Sequence, residues 1–138
     1  MADFNKIGVL ILNEDATKFL VCEVHPRVLP PTYLMPGGVF HEDSIEECIA
    51  NEIKEELDSA VDTSTIEFIG EYIDVAATNP DKTVAIQLYK GALLNEPKPS
   101  SEVKQLHWIG KEGENLEVVS PIIRNKIIPD LIKRGILK

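Results

Sequence analysis

Hydrophobic and polar residues alternate along this chain with two periods, one typical of strands and one typical of helices. Apolar, β-branched runs at residues 6–12 and 19–24 are separated by the polar stretch NEDATK, so we predict a β-hairpin there. A second hairpin is predicted from residues 66–76 and 83–94, which are joined by the turn-rich ATNPDK. Together these elements predict a mixed sheet with a few helices.

The rest of the chain predicts two short strands and a C-terminal helix. HPRVLPPTY contains prolines, which neither pair within a sheet nor continue a helix, so it should be a loop leading into the short strand YLM. Residues 106–109 should form a last strand. In the tail, Ser120 is the predicted N-cap, Pro121 the first helical residue and Gly135 the end of the helix. We expect this helix to kink or restart at Pro129.

A further helix is predicted over residues 45–57, in the acidic stretch GGVFHEDSIEECIANEIKEEL. A capping box of the form S-x-x-E opens it at Ser44. At roughly 100° per residue, one apolar arc of the helix contains Cys48, Ile49, Ile53 and Leu57. Glu52 and Glu56 fall inside that arc and Glu55 lies at its edge. The helix should therefore turn carboxylates towards the body of the protein.

Inward-facing carboxylates need a counter-charge, because burying an unpaired charge is costly. A basic side chain, a proton or a divalent cation could supply it. Arg27 or a lysine could reach one carboxylate but would hardly serve three. Oxygen-only ligands favour a hard cation such as Mg²⁺ or Mn²⁺, which commonly bridges to substrate phosphates. The spacing alone leaves a metal site and a salt-bridged structural cluster as equal alternatives.

Length, charge and cysteine spacing limit the kinds of protein that this chain can be. The 138 residues suit one domain, which we place at 1–138. No apolar run approaches the roughly 20 residues that cross a bilayer, so no membrane association is expected. The net charge of −9 argues against a nucleic-acid polymer as partner but allows a small phosphorylated ligand bridged by cations. Cys22 and Cys48 show no metal-ligand or redox spacing and no export leader is recognisable, so we expect a cytoplasmic protein.

The acidic stretch resembles the Nudix box, the loop–helix signature G-x5-E-x7-R-E-U-x-E-E-x-G-U, in which U is a bulky apolar residue. Residues 37–59 cover the box, and five of its nine fixed positions match: Gly37, Glu52, Ile53, Glu55 and Glu56. YLMPGG resembles the strand–Pro–Gly–Gly that enters the box in this family, and SSEVKQLHWI resembles its late E-x-x-E-x-x-W strand. The resemblance therefore spans nearly the whole chain.

The remaining box positions depart from the family pattern. Asn51 replaces the arginine, which removes the ion pair that usually holds the neighbouring glutamate. Asp58 replaces the second glycine, a tolerable change because Asp can adopt the left-handed conformation that ends a helix. Asp43 is a shorter first acid, and Ser59 stands at the last apolar position. Under this resemblance the metal-binding glutamates are present, whereas the residues that normally position them are replaced.

The resemblance implies an α/β fold, an α/β/α sandwich with a mixed β-sheet, and hydrolysis of a nucleoside diphosphate linked to another moiety by a metal-activated water. Glu52 and Glu56 would be the principal ligands of Mg²⁺ or Mn²⁺. Glu55 would be a further ligand or a catalytic base. The backbone carbonyl of Gly37 or Gly38 would complete the metal shell.

Two candidate residues lie outside the box. Glu102 aligns with the first acid of the late pattern and would be a catalytic base or a ligand of a second metal, although a solvated loop charge explains it equally well. Gln105 replaces the second acid of that pattern, which weakens this strand's claim to the chemistry. Arg27, near the proline-rich loop, is a candidate contact to phosphate or base.

Two functions of different classes follow from the sequence. The first is an active pyrophosphohydrolase that acts on a small phosphorylated substrate, which we expect to be a nucleotide. The alternative is a catalytically impaired module that binds a nucleotide or a protein, and Asn51 is the residue that favours it. The resemblance does not identify the substrate. Because dimers are common among relatives, a homodimer is also possible.

Overall fold

The structure is a computed structural model that describes residues 2–25, 30–40, 44–77 and 79–138. In chain order, the elements within these ranges are β1 (Phe4–Leu10), β2 (Phe19–Val24), β3 (Thr32–Leu34), β4 (Gly37–Val39), α1 (Ile45–Leu57), β5 (Val61–Ala76), β6 (Asn79–Leu93), β7 (Gln105–Ile109), a 3₁₀ helix (Lys111–Asn115), a π-helical turn (Ile123–Ile127) and α2 (Ile128–Lys133). Among the described residues, no helix has the length and apolar character needed to span a bilayer.

The described strands form two sheets at the centre of the fold. The larger sheet has the order β4-β1-β6-β5 and the smaller has the order β3-β2-β7. β1 and β6 run parallel, from the pair Phe4↔Val84 to the pair Leu10↔Lys90, whereas β4, β5 and the strands of the smaller sheet pair antiparallel to their neighbours. The larger sheet is therefore mixed, as predicted.

Both faces of the sheets are covered. Val9 and Leu20 belong to a buried cluster with α1, whereas the next residues along each strand, Leu10 and Val21, belong to a second buried cluster with the C-terminal helical segment. Because successive strand side chains point to opposite faces, α1 and the C-terminal segment lie on opposite sides of the strands. This is the predicted α/β/α arrangement. It also explains why residues 7–10 of β1 and 19–22 of β2 are continuous buried runs, since neither face meets water there.

The predicted hairpin of β1 and β2 is wrong. The two strands lie in different sheets, and only the turn between them is paired, with Leu20 N–H donating to the Ile11 carbonyl at 3.0 Å and Asn13 N–H donating to the Lys18 carbonyl at 3.0 Å. The edges of β1 are occupied by β4 on one side and β6 on the other, which leaves no edge for β2. A local turn signal could not reveal these long-range partners.

The hairpin of β5 and β6 is confirmed, but both strands begin earlier than predicted. β5 starts at Val61, and its register with β6 shifts between Asp62 and Glu67. The polar residues at this irregularity make local bonds, including Ser64 N–H to Asp62 Oδ1 at 3.1 Å and Thr65 Oγ1 to the Asp62 carbonyl at 2.6 Å. Without an alternating apolar pattern, this part of the strand carries no strand signal.

The C-terminal helical segment begins and ends where predicted. It follows Ser120 and ends before Gly135, which has a φ of +73°. The expected irregularity at Pro129 takes the form of the π-helical turn, in which Ile128 N–H donates to the carbonyl of Ile123, five residues earlier. A proline inside a helix lacks a donor and its ring clashes with the carbonyl four residues before it, which accounts for the wider turn.

Ile53→Ala is expected to lower the free energy of unfolding by about 2–5 kcal/mol, because Ile53 is fully buried between α1 and the strands. Lys54→Ala, at the next and exposed position of the same helix, should change it by less than about 0.5 kcal/mol. Urea denaturation of both variants measures the difference. Equal losses in the two variants would contradict the orientation of α1.

Candidate active site

The acidic helix α1 begins and ends as the sequence predicts. Ser44 is its N-cap, and its hydroxyl oxygen accepts the backbone N–H of Glu47 at 3.1 Å. Asp58 follows the last turn in the left-handed conformation, with a φ of 46°, the role expected of it at the second glycine position. These local signals fix the length of the helix, and the apolar arc fixes its rotation.

The three candidate metal-binding glutamates occupy different environments. Glu52 is buried with only 8% exposure, Glu56 is half-buried, and Glu55 is exposed. The order matches the helical wheel, which placed the first two inside the apolar arc and Glu55 at its edge. Glu52 lies directly against Gly38, where an added Cβ would come within 2.8–2.9 Å of both carboxylate oxygens. A side chain at position 38 would therefore displace this carboxylate from its present place.

The carboxylate of Glu56 is the electrostatic centre of the site. Its burial, together with the charges of Glu52 and Glu55, raises its pKa from the ordinary 4.5 to about 7, although the N–H of Gly37 and the charge of Lys6 both lower it. The Gly37 N–H donates to Glu56 Oε1 at 2.8 Å. The side chain is therefore held in place by the loop while being close to half-protonated at neutral pH when no cation is bound.

Gly37 is required by its backbone conformation as well as by this hydrogen bond. Its φ is +137°, and a Cβ at this position would collide with the carbonyl oxygen of Ile7 on the paired strand β1. The close approach of β4 to β1 delivers the Gly37 N–H to Glu56. The Pro-Gly-Gly sequence thus has a local physical reason: both glycines bring backbone against a neighbouring group that a side chain would displace.

A cavity of about 700 Å³ lies next to these residues. Its wall includes four of the predicted site residues, Gly37, Gly38, Glu56 and Glu102. Glu102 is exposed in the turn before β7, and this segment contacts the end of α1, because the Ser100 N–H donates to the Glu56 carbonyl at 3.0 Å. Glu55 and Glu52 are not part of this wall. Arg27 and Asp43 lie outside the described residues.

Several residues at the cavity were not singled out from the sequence. Lys6, His25 and Lys104 border it and bring potential positive charge to the acidic site. Cys22 and Ser120 also border it, and both are buried. The sequence alone did not predict that these residues line a cavity. They come from four parts of the chain that meet only in the tertiary fold: β1, β2, the turn before β7 and the C-terminal segment.

His25 also belongs to a polar network that sequence reasoning missed. Its Nε2 lies 2.6 Å from Glu23 Oε2, while His107 Nε2 lies 2.8 Å from Glu23 Oε1. The ring of Tyr33 stacks on His107 with 4.3 Å between centroids. Hydrogen bonds from His25 and then His107 lower the pKa of Glu23, so its carboxylate stays charged. The two-residue spacing of Glu23 in β2 and His25 directly after it was the available signal.

The donor chemistry of the site fits a hard divalent cation. The carboxylates of Glu52 and Glu56 and the carbonyls of Gly37 and Gly38 are oxygen ligands. Burial and then repulsion by Glu52 and Glu55 raise the pKa of Glu56, and a bound cation would relieve that repulsion. Within the described ranges, no three histidine, cysteine or acidic side chains already converge at ion-binding distance. Binding would therefore involve movement of a side chain such as the exposed Glu55.

Comparison with known proteins identifies the fold. No protein-family model matches the chain, and no curated protein matches it by sequence. A MutT protein from Methanosarcina mazei Go1 is similar in structure, with a TM-score of 0.73 at 20% identity over 96% of this chain and 94% of that chain.

Two further similar structures carry ligands. The NUDIX domain of Shewanella oneidensis NrtR, complexed with ADP ribose, has a TM-score of 0.71 at 12% identity over 98% of this chain and 90% of that chain. A bifunctional NMN adenylyltransferase/ADP ribose pyrophosphatase from Francisella tularensis, complexed with AMP and a manganese ion, has a TM-score of 0.67 at 15% identity over 95% of this chain and 41% of that chain. The chain described here therefore has the fold of the Nudix hydrolases.

Proposed function

We propose that this protein is a Nudix-type pyrophosphohydrolase that cleaves a nucleoside diphosphate linked to another moiety and uses Mg²⁺ or Mn²⁺. The position of Glu56 carries the proposal. Its carboxylate is half-buried at the cavity wall, repelled by Glu52 and Glu55 and held by the Gly37 N–H. A perturbed carboxylate held in a cleft beside other carboxylates is better explained by cation capture than by solubility.

The similar structures support a small nucleotide as the ligand. The Shewanella domain is complexed with ADP ribose, and the Francisella protein with AMP and manganese. At 12% and 15% identity these proteins share the fold with this chain, and a shared fold does not fix the substrate. The substrate is therefore proposed only as a class, a nucleotide with a phosphoanhydride bond.

The residues of the site divide the work of hydrolysis between them. Glu52 and Glu56 would hold the ion, with the carbonyl of Gly37 or Gly38 beside them. When bound, a divalent ion offsets phosphate charge and makes a coordinated water more acidic. The Gly37 N–H keeps the carboxylate of Glu56 pointed at the site. Glu55 is exposed and free to turn, so it is our first candidate to take a proton from the attacking water.

Other residues at the cavity would supply the remaining roles. Glu102 is the second candidate for the base or for a second metal ion, since it borders the same cavity. Lys6 and Lys104 would offset the charge of substrate phosphates, which a protein of net charge −9 would otherwise repel. Arg27 stays a candidate contact to phosphate or base. We also propose that residues 1–138 act as one domain in the cytoplasm, consistent with Cys22 and Cys48 not being joined in a disulfide.

A second function, a nucleotide-binding module with impaired catalysis, is favoured by one observation. Asn51 is exposed on α1, and its short side chain cannot form the ion pair that the family arginine would make. Glutamates without this support would be less firmly positioned, and misplacement of catalytic groups lowers turnover more than it lowers binding. The two functions differ in turnover, which an assay measures directly.

Purified protein incubated with Mg²⁺ and a panel of nucleoside diphosphate derivatives is expected to release phosphate or a nucleoside monophosphate. Glu56→Gln should reduce the rate by at least about 100-fold, since even outer partners of metal ligands are worth 10–100-fold. Glu46→Gln, a matched change at an exposed position of the same helix, should leave the rate unchanged. Tight, Mg²⁺-dependent binding without any turnover would instead establish the binding module.

Asn51→Arg is expected to raise turnover by about tenfold, because it would restore a charged partner for the neighbouring glutamate. The measurement is kcat on the best substrate of the panel, with Asn51→Gln as a control that adds length without charge. An unchanged rate in Asn51→Arg would show that Asn51 already suffices or that the box does not take part in catalysis.

Protons and Mg²⁺ are expected to compete for Glu56. With a pKa of about 7 in the cation-free protein, the apparent affinity for Mg²⁺ should rise about tenfold from pH 6 to pH 8, and Glu56→Gln should abolish this dependence. Titration calorimetry at the two pH values measures it. The stability of the cation-free protein, measured in chelator, should change with pH in the opposite direction to Mg²⁺ affinity. The pKa of Glu56 is higher in the folded than in the unfolded state, so the folded state binds more protons. The free energy of unfolding should therefore fall as the pH rises from 4.5 to 7.

A further inference from the structure

Strand β5 carries apolar side chains on both of its faces in its second half. Tyr72 and Ala76 belong to the buried cluster that includes the C-terminal helical segment, and the Tyr72 hydroxyl donates to Asp130 Oδ2 at 2.6 Å. Ile73 and Val75 point to the other face and are 51% and 40% exposed. Strands with apolar residues on both faces are typical of sheets that are covered on both sides. The second face of β5 therefore has the composition of a covered surface but is exposed.

Ile73 and Val75 lie on the face of the larger sheet that also carries α1. Ile73 pairs with Ala85 of β6, and Ala85 pairs with Asn5 of β1. Ile7 follows Asn5 by two residues, so it points to the same face, and it packs in the buried cluster with α1. The exposed apolar residues of β5 thus continue the surface on which α1 is packed.

Helix α1 is too short to cover this whole face. Its 13 residues span about 20 Å at 1.5 Å per residue, whereas the 16 residues of β5 span roughly 50 Å at 3.3 Å per residue. The β5 residues that pack in the cluster with α1 are Val61 and Ile66, both in the first half of the strand. The surface beyond them, which we call the open face, is formed by Glu71, Ile73, Val75 and Ala85.

Glu71 brings a negative charge to the open face. It precedes Ile73 by two residues, so its side chain points to the same face. Glu71 is exposed and forms no ion pair within the described ranges. It also borders a cavity of about 300 Å³ together with Phe40 and Ala85. An apolar surface with one unpaired carboxylate is complementary to an apolar surface with one basic side chain.

The spacing of the open face fits an α-helix. Glu71, Ile73 and Val75 follow one another at about 6.6 Å along β5. Residues four apart in a helix are separated by a rise of about 6.0 Å and lie on one side of it. A helix that lies along β5 can therefore place one residue at Glu71 and the residues four and eight positions away at Ile73 and Val75. The packing of α1 shows that a helix fits on this face of the sheet.

We propose that the open face binds an amphipathic helix of another protein, in which one Lys or Arg and two apolar residues follow at four-residue intervals. A second copy of this chain does not offer such a helix, because its described helices bury their apolar residues in its own core. Two open faces packed together would also bury two unpaired Glu71 carboxylates between proteins of net charge −9. The inference is independent of the proposed hydrolysis, since the open face contains none of the candidate metal-binding residues.

Binding of a fluorescent, alanine-rich peptide of about 20 residues, long enough to form a helix, tests this inference by fluorescence anisotropy. The peptide carries Arg, Leu and Leu at four-residue intervals. A second peptide has Glu in place of Arg, and a third has its two Leu residues moved to opposite sides of the helix. The Arg peptide should bind at least about fivefold more tightly than the Glu peptide and at least about tenfold more tightly than the third peptide.

Variants of the open face locate the binding on the protein. The double variant Ile73→Thr, Val75→Thr keeps β-branched side chains, which suit a strand, and should weaken binding of the Arg peptide by about tenfold or more. Leu94→Thr, a similar change at an exposed position just after β6, should leave binding unchanged. Glu71→Gln should reduce the preference for the Arg peptide over the Glu peptide to about twofold or less. Circular dichroism checks that each variant is folded.

Three results would overturn the inference. The first is equal binding of all three peptides, or equal binding of the Arg peptide by the double variant and the unchanged protein, because the contact would then not depend on the open face. The second is the absence of any binding of the Arg peptide at millimolar concentration. The third is a dimer in sedimentation equilibrium that the double variant abolishes, because a second copy of the chain would then occupy the open face.

Discussion

The rotation of α1 about its own axis is the constraint on which the candidate site depends. The side chains that fix this rotation pack into one buried cluster with the strands: Cys48, Ile49, Ile53 and Leu57. Because residues three and four apart share a helix face, Glu52 and Glu56 are carried inward with them. Turning either carboxylate outwards would withdraw apolar side chains from the core. Hydrophobic packing therefore keeps negative charge close to the interior, where it interacts strongly with any cation or phosphate.

Strand β4, which precedes α1, completes this arrangement through its backbone. Gly37 donates its N–H to Glu56, and Gly38 leaves the space that the carboxylate of Glu52 fills. Gly37 is required by its backbone conformation, a side chain at position 38 would displace the Glu52 carboxylate, and both residues are positioned by the pairing of β4 with β1. Lys6 lies on that same strand and partly offsets the charge of Glu56. The backbone of the site is thus anchored to β1, an interior strand of the larger sheet.

The sequence predicts those features of the structure that depend on residues close together in the chain, and it fails for features that depend on distant residues. α1 was predicted with correct bounds because its cap, its apolar arc and its left-handed end at Asp58 are all local. The hairpin of β1 and β2 was wrongly predicted, because the choice of strand partners is made by residues far away in sequence. Lys104 and Ser120 could not be recognised for the same reason. The inward turn of Glu52 and Glu56 was recognisable, because a helical wheel needs no knowledge of the rest of the fold.

The parallel pairing of β1 with β6 has a consequence for how the protein acquires its shape. It pairs Phe4 with Val84, which are far apart in the sequence. The entropy of closing this long loop must therefore be lost before any of the pairing energy is gained. β1 cannot take its central place until β6 has been synthesised. A nascent chain that ends before β6 would therefore carry its acidic helix without the completed sheet beside it.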